Sequence, residues 1–172
     1  NYKFNYLLSF FFSLILGLSL VVRLNLIFTI LPIFIWVLVF KFDFKKILVI
    51  TSGVLIALLF GLFVDYINYN GFYITYWNFF YHNIILGRMI AFGLQPWWYY
   101  LPTIAIELAP VLSVFFVVSL IIFWFKKPTH VITWLTLLTL VIISFQGHKE
   151  IRYSFPIYIF APLFISYFFE TF

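Results

Sequence analysis

From Gly147 the chain reads Gly147-His148-Lys149-Glu150-Ile151-Arg152-Tyr153-Ser154-Phe155-Pro156, set between two nearly uncharged runs over 131–145 and 157–169. His148, Lys149, Glu150 and Arg152 crowd into this knot in a chain that is only 9% charged. The flanking runs decide the fold class. A soluble domain is about half apolar and about a quarter charged. This chain is 66% hydrophobic with a mean hydropathy of +1.15, which leaves too little polar surface to cover it in water. The runs do not alternate apolar and polar residues over ~10-residue segments, as barrel strands do. The sequence therefore reads as an all-α integral membrane protein.

Working outward from the knot, about six transmembrane helices are expected, over 6–22, 26–40, 47–64, 103–125, 131–145 and 155–169. Each approaches the roughly 20 residues needed to cross a bilayer, the second and fifth being short. Gly17 and the serines of the first run suit helix–helix contacts, and Pro32 is expected to kink the second. Between the third and fourth runs, residues 65–101 carry Gly71, Gly87, Gly93 and a dense set of aromatics, among them Trp77, Trp97, Trp98, Tyr99 and Tyr100. Tyr and Trp collect where an apolar body and a wet tip are both satisfied. This segment is expected to be a long extracytoplasmic interfacial loop, helical over roughly 77–91. Residues 1–172 otherwise form a single transmembrane domain. The chain starts at Asn1 without a Met and is read as a piece of a longer polytopic protein.

The basic residues fall at segment ends, so the net charge of +5 is a topology signal and not a nucleic-acid footprint. With the N-terminus inside, Lys3, Lys41, Lys45, Lys46, Lys126 and Lys127 lie inside, and Arg23, Arg88, Lys149 and Arg152 outside, the expected bias. The aromatic loop, the knot and the outer ends of the runs bearing Asp65 and Glu107 then share one face of the membrane. The absence of cysteine excludes disulfides and thiolate metal sites.

In an extended segment, residues two apart share a side, which brings His148, Glu150 and Arg152 together. Pro156 suits the first turn of a following helix, where N–H groups and the dipole favour an anion. Cations at such a place suit a phosphate or pyrophosphate, with Glu150 orienting Arg152 or a substrate hydroxyl. The alternative is a charged loop that keeps two spans apart. Asp65 is either a solvated helix-end carboxylate or a partner for sugar hydroxyls. Glu107, inside its run, is costly unless paired or facing a wet cavity; Arg88, Arg152 or a substrate are its candidate partners. The box around Trp97 is either an interfacial belt or a set of faces for sugars and a lipid tail. His82 and His130 stand alone, and no metal set is visible.

Together these residues resemble a known family. His148-Lys149-Glu150-x-Arg152-Tyr153, followed by Phe155-Pro156-Ile157-Tyr158, is similar to the His-Lys-Glu-x-Arg-Phe signature of glycosyltransferase family 22. These are the multi-spanning GT-C mannosyltransferases of dolichol-linked oligosaccharide and GPI-anchor assembly, with bacterial relatives. Asp65 followed by Tyr69, Trp77-Asn78-Phe79 and Tyr81-His82-Asn83 resembles the family's Asp-Ser…Tyr…Asn-Phe…Asn stretch. Phe92-Gly93-x-x-Pro96-Trp97-Trp98-Tyr99-Tyr100 resembles its Gly-x-x-Pro-Trp-His-Trp-Tyr box. Trp98 stands where the family usually has His, Tyr66 where Ser is usual, and Ile151 where an acidic residue is frequent. The resemblance covers the chain from about Asp65 onward.

The resemblance implies an inverting transfer of mannose or a related hexose from a polyprenyl- or dolichyl-phosphate sugar to a lipid-linked glycan. Membrane lipid is the third partner, and no cofactor, metal or nucleic acid is implied. His148, Lys149 and Arg152 would bind the donor phosphate. Glu150, Asp65, Asn78, Trp97 and Glu107 would position substrate. GT-C enzymes place the catalytic acid in a first extracytoplasmic loop, and 23–25 is too short to supply one. The general base is therefore expected upstream of Asn1, and these 172 residues alone are expected to be inactive. The setting would be the endoplasmic reticulum membrane of a eukaryote or the inner membrane of a bacterium, active side extracytoplasmic. The competing readings are a transporter fragment and a non-catalytic membrane subunit.

Overall fold

A computed structural model describes residues 5–71, 73–107 and 110–171, the side chains at 84, 89, 92, 105, 107 and 110 excepted. Among the described residues all regular structure is helical. The chain divides into two compact units, Asn1–Ile30 with Val37–Arg88, and Leu31–Trp36 with Met89–Phe172.

The first unit is built on two apolar helices held together by small residues. Helix α1 (Tyr6–Val22) starts at Asn5, whose Oδ1 accepts from the Leu8 N–H at 3.1 Å. A 3₁₀ turn, Leu24–Leu26, leads into α2 (Ile27–Phe40), with Pro32 inside it. Helix α3 (Phe44–Tyr69) is capped by Asp43, which accepts from the Lys45 and Lys46 N–H groups. Burial on α1 and α3 is inverted relative to a soluble helix. Ser13, Gly17, Gly53, Ala57 and Gly61 are buried, whereas Phe12, Ile15, Leu59 and Phe63 are exposed. Lipid tails are as apolar as leucine, so close backbone approach, and not side-chain bulk, holds such helices together. A Cβ on Gly17 would lie 2.6 Å from that of Ala57. Buried hydroxyls are satisfied within their own helices, as in Ser13 to the Phe10 carbonyl at 2.8 Å.

At roughly 1.5 Å per residue, the 26 residues of α3 cross a bilayer comfortably. By length and composition α3 is the described helix that can span alone. The number rises to as many as three if each of two bent helix pairs counts as one span. The six separate spans expected from sequence are thus not all matched by helices of crossing length. The runs at 6–22 and 26–40 do form helices, but short ones. After α3 the expected helix over 77–91 is three shorter pieces: α4 (Thr75–Phe80), a π turn at Tyr81–Ile85 and a 3₁₀ turn at Arg88–Phe92. Gly87, at a φ of 62°, separates the last two.

In the second unit the expected 103–125 run is helical over α5 (Tyr100–Glu107) and α6 (Pro110–Lys126), with 108 and 109 outside the described residues. Helix α7 (Val131–Phe145) leaves α6 at 120°. The carbonyls of the tight turn between them are taken by side chains. Thr133 donates to Lys127 O, Trp134 to Pro128 O and Trp36 to Thr129 O, at 2.7, 2.9 and 2.8 Å. Helix ends leave carbonyls without intrahelical partners, and such side chains supply them. His130 caps α7 through Nδ1, which accepts from the Ile132 N–H. The last run forms α8 (Phe155–Tyr158) and α9 (Ala161–Thr171), with Pro156 in the first turn of α8 as expected. The 3₁₀ turn and α8 together (Ile151–Tyr158) meet α9 at a 45° bend. The core of this unit is aromatic: Phe164 meets Phe123 and Phe116 with ring centroids 5.0 and 6.1 Å apart.

Candidate functional site

The candidate site forms where α7 ends and α8 has not yet begun. Gln146 and Glu150 have extended backbones, and a 3₁₀ turn at Ile151–Ser154 follows. Along an extended stretch side chains alternate, so His148 and Glu150 face one way and Lys149 the other. The turn then swings Arg152 back toward Glu150. One Glu150 oxygen, Oε1, faces His148 Nε2 at 3.2 Å and accepts from the Tyr153 hydroxyl at 3.3 Å. The other, Oε2, pairs with Arg152 Nε. The Arg152 guanidinium, followed by the His148 and Tyr153 hydrogen bonds, outweighs burial and holds the Glu150 carboxyl below the usual carboxylate range. The grouping of His148, Glu150 and Arg152 expected from alternation is therefore observed.

Lys149 is turned to the backbone in this structure. It is only 6% exposed. Its Nζ donates to the carbonyls of Gln95, at 3.0 Å, and Gln146. Burial pushes its ammonium below the usual lysine range. The same seam carries further bonds. Gln95 N–H donates to Gly147 O at 3.1 Å. The Tyr100 hydroxyl donates to Glu150 O at 3.2 Å. His148 Nδ1 faces Gly93 O at 3.4 Å. The aromatic loop 93–100 is thus fastened along the charged segment. On that loop Tyr100 is fully buried, while Trp97 is 67% exposed and Trp98 is exposed beside it.

The remaining expected residues are placed elsewhere. Asp65, in the last turns of α3, accepts from the Thr75 N–H through Oδ2 at 3.2 Å and so closes the loop that leads into α4. Asn78 is half-buried on α4, beside an exposed Trp77 whose ring stacks with Tyr81. Both belong to the first unit, whereas Trp97, Glu107 and the knot belong to the second. Glu107 is the last residue of α5, and its side chain lies outside the described residues. Among the described residues no group of three His, Asp or Glu side chains could share a metal ion.

The whole chain, residues 1–172, matches the model of the Alg9-like mannosyltransferase family. The chain belongs to this family. No curated protein and no solved structure matches it. The match extends over the first three apolar runs, beyond the part of the chain from Asp65 onward that carries the motif resemblance. The protein is accordingly a mannosyltransferase-like glycosyltransferase with the apolar helices of an integral membrane protein.

In this Alg9-like mannosyltransferase the knot offers a guanidinium held in place by a carboxylate, with the Arg152 side chain 56% exposed. A planar cationic fork so fixed suits a phosphate. Sequence reasoning missed Tyr153 and Tyr100 as members of the site. Tyr153 follows Glu150 by three residues, the spacing at which a helical turn brings side chains together. Tyr100 and Gln95 act on, or through, backbone carbonyls, which leave no side-chain signal to read.

Proposed function

We propose that this protein transfers mannose, or a related hexose, with inversion from a polyprenyl- or dolichyl-phosphate sugar to a lipid-linked glycan. The single observation that carries the reading is the Arg152–Glu150 pair at the start of α8, inside a chain of mannosyltransferase family. In the transfer, the acceptor hydroxyl oxygen bonds to the anomeric carbon and the bond from that carbon to the phosphate oxygen breaks. The electron pair leaves with the lipid phosphate. Negative charge grows on the phosphate, and a preorganised cation stabilises it. Arg152, assisted by His148, takes that part. Glu150 orients the guanidinium. Its depressed pKa makes it a weak base, so the acceptor's proton goes to another group.

Trp97 presents an exposed face for the sugar or the isoprenoid. Asp65 and Asn78 position hydroxyls, a role supported by the motif resemblance, and Glu107, a carboxylate inside an apolar run, is the further candidate for that role. The proposed setting is a multi-pass GT-C-like domain of about six spans, with 65–101 along the extracytoplasmic interface. The test uses the full-length protein in membranes with radiolabelled dolichyl-phosphate mannose. Arg152→Ala should lower transfer by at least a hundredfold at unchanged expression. Unchanged transfer in that variant would sink the phosphate role, and failure of the unmodified protein to use any polyprenyl-phosphate sugar would sink the donor class.

A further inference from the structure

We propose that Lys149 is a positioning residue. It latches the aromatic loop to the Arg152–Glu150 pair, so that the face for the sugar or isoprenoid and the cation for the phosphate keep one fixed spacing. This inference rests on the transferase reading above.

The chemistry of the contact is unusual. A lysine is rarely buried unless paired, and a buried charge without partners is costly. The partners recorded here are main-chain carbonyls, those of Gln95 and Gln146. An apolar side chain would fill the same space without desolvating an ammonium, so what lysine adds is its N–H donors. The need for them lies at the Gln95 carbonyl. Gln95 donates its own N–H to Gly147 O, the first rung of a backbone ladder between loop and segment. A second rung needs a donor for the Gln95 carbonyl. Pro96 holds Gln95 out of helical conformation, and the Tyr99 N–H, four residues on, donates to Pro96 O instead. The Lys149 ammonium completes the rung from the other side. Gly147 fits the same close approach, since a Cβ there would lie 3.1 Å from Leu94 Cδ2.

The two things tied together are the parts that face outward. On the loop, exposed Trp97 and Trp98 follow Pro96 directly. On the segment, exposed Arg152 lies three residues past Lys149. A donor that places its phosphate on Arg152 and its sugar or lipid on an indole face spans the seam. Misplacement by an ångström across such a seam carries a cost on the order of 10²-fold in rate.

The test attaches a nitroxide at Trp98→Cys in the full-length protein, a position unique within these cysteine-free 172 residues. Lys149→Met, which keeps length and apolar bulk but removes the donors, should sharpen the nitroxide spectrum. It should also lower kcat/KM for dolichyl-phosphate mannose at least tenfold. Lys149→Arg, which keeps donors, should recover most of both. Arg152→Ala should leave the spectrum unchanged while abolishing transfer, so failure of the phosphate reading and failure of the latch show up in different measurements. An unchanged spectrum in Lys149→Met overturns the latch. So does lost donor binding with an unchanged spectrum, because that is the signature of direct phosphate contact by Lys149. Should Lys149→Met fail to insert, Lys149→Gln, with two shorter-reaching donors, carries the same comparison against Lys149→Arg.

Discussion

Arg152 and Glu150 hold each other: the guanidinium Nε pairs with Oε2, and the carboxylate's other oxygen accepts from Tyr153 and faces His148. The carboxylate is thereby favoured in its charged form. The direction of its pH dependence follows. A carboxyl whose folded pKa is depressed adds stability that is fully present above its unfolded value, about 4.3, and is lost as pH falls through the lower folded value. Thermal unfolding of the purified protein should show this component flat from neutral pH down to that region and falling below it. Glu150→Gln should remove the acid-dependent component and, by loosening the guanidinium, reduce transfer at neutral pH by ten- to a hundredfold. An acid profile identical in the two proteins would show that the pair contributes nothing to the fold.

Asp65 offers a separation of structural and substrate roles. Its Oδ2 accepts from the N–H of Thr75, the first residue of α4. Loss of a hydrogen bond of this kind costs about 1 kcal/mol. Asn keeps an oxygen that can accept the same bond. Asp65→Asn should therefore leave the melting temperature close to that of the unmodified protein, whereas Asp65→Ala should lower it. If the charge itself orients a sugar hydroxyl, both variants should lose transfer. If Asp65→Asn transfers normally, the loop closure is its whole contribution.

Much of this architecture is legible in the sequence, and what is not has identifiable causes. Residues 6–22 and 131–145 form helices with the bounds read from their apolar runs, because a capping side chain, Asn5 or His130, stands just before each. The pairing of His148 with Glu150 follows from strand alternation, and Arg152 reaches Glu150 from the 3₁₀ turn that comes next. The same alternation sends Lys149 inward, but its partners are backbone carbonyls, one of them at Gln95 far back in the chain, and a carbonyl looks alike in every residue. The broken helix after Thr75 turns on Gly87 in a left-handed conformation. That residue is visible in the sequence, yet whether a glycine bends a helix or ends it depends on the packing around it. The span count is illegible for a related reason: an apolar run reports that a segment avoids water, not that its helix is straight.

The spacing of Gly53, Ala57 and Gly61 by four is a pattern the sequence does display, and it carries the last prediction. These residues form one stripe of α3, buried in the unit where α1 packs. A Cβ on Gly53 would collide with the Ser13 hydroxyl, which is itself bonded to Phe10 O. It would also lie 2.8 Å from the Phe10 carbonyl oxygen and 3.0 Å from the Leu14 nitrogen. Backbone atoms cannot rotate away as a side-chain tip can, so the two helices must part. Overpacking of this kind costs roughly 1–3 kcal/mol, and in lipid no hydrophobic gain offsets the lost contact. Gly53→Ala should lower the melting temperature in detergent by several degrees, whereas Gly71→Ala, whose added methyl meets nothing closer than 4.0 Å, should not. The double variant Ser13→Gly with Gly53→Ala should recover only part of the loss, since it relieves the hydroxyl but not the backbone. Equal melting temperatures for Gly53→Ala and Gly71→Ala would mean that α1 and α3 are not held by this seam.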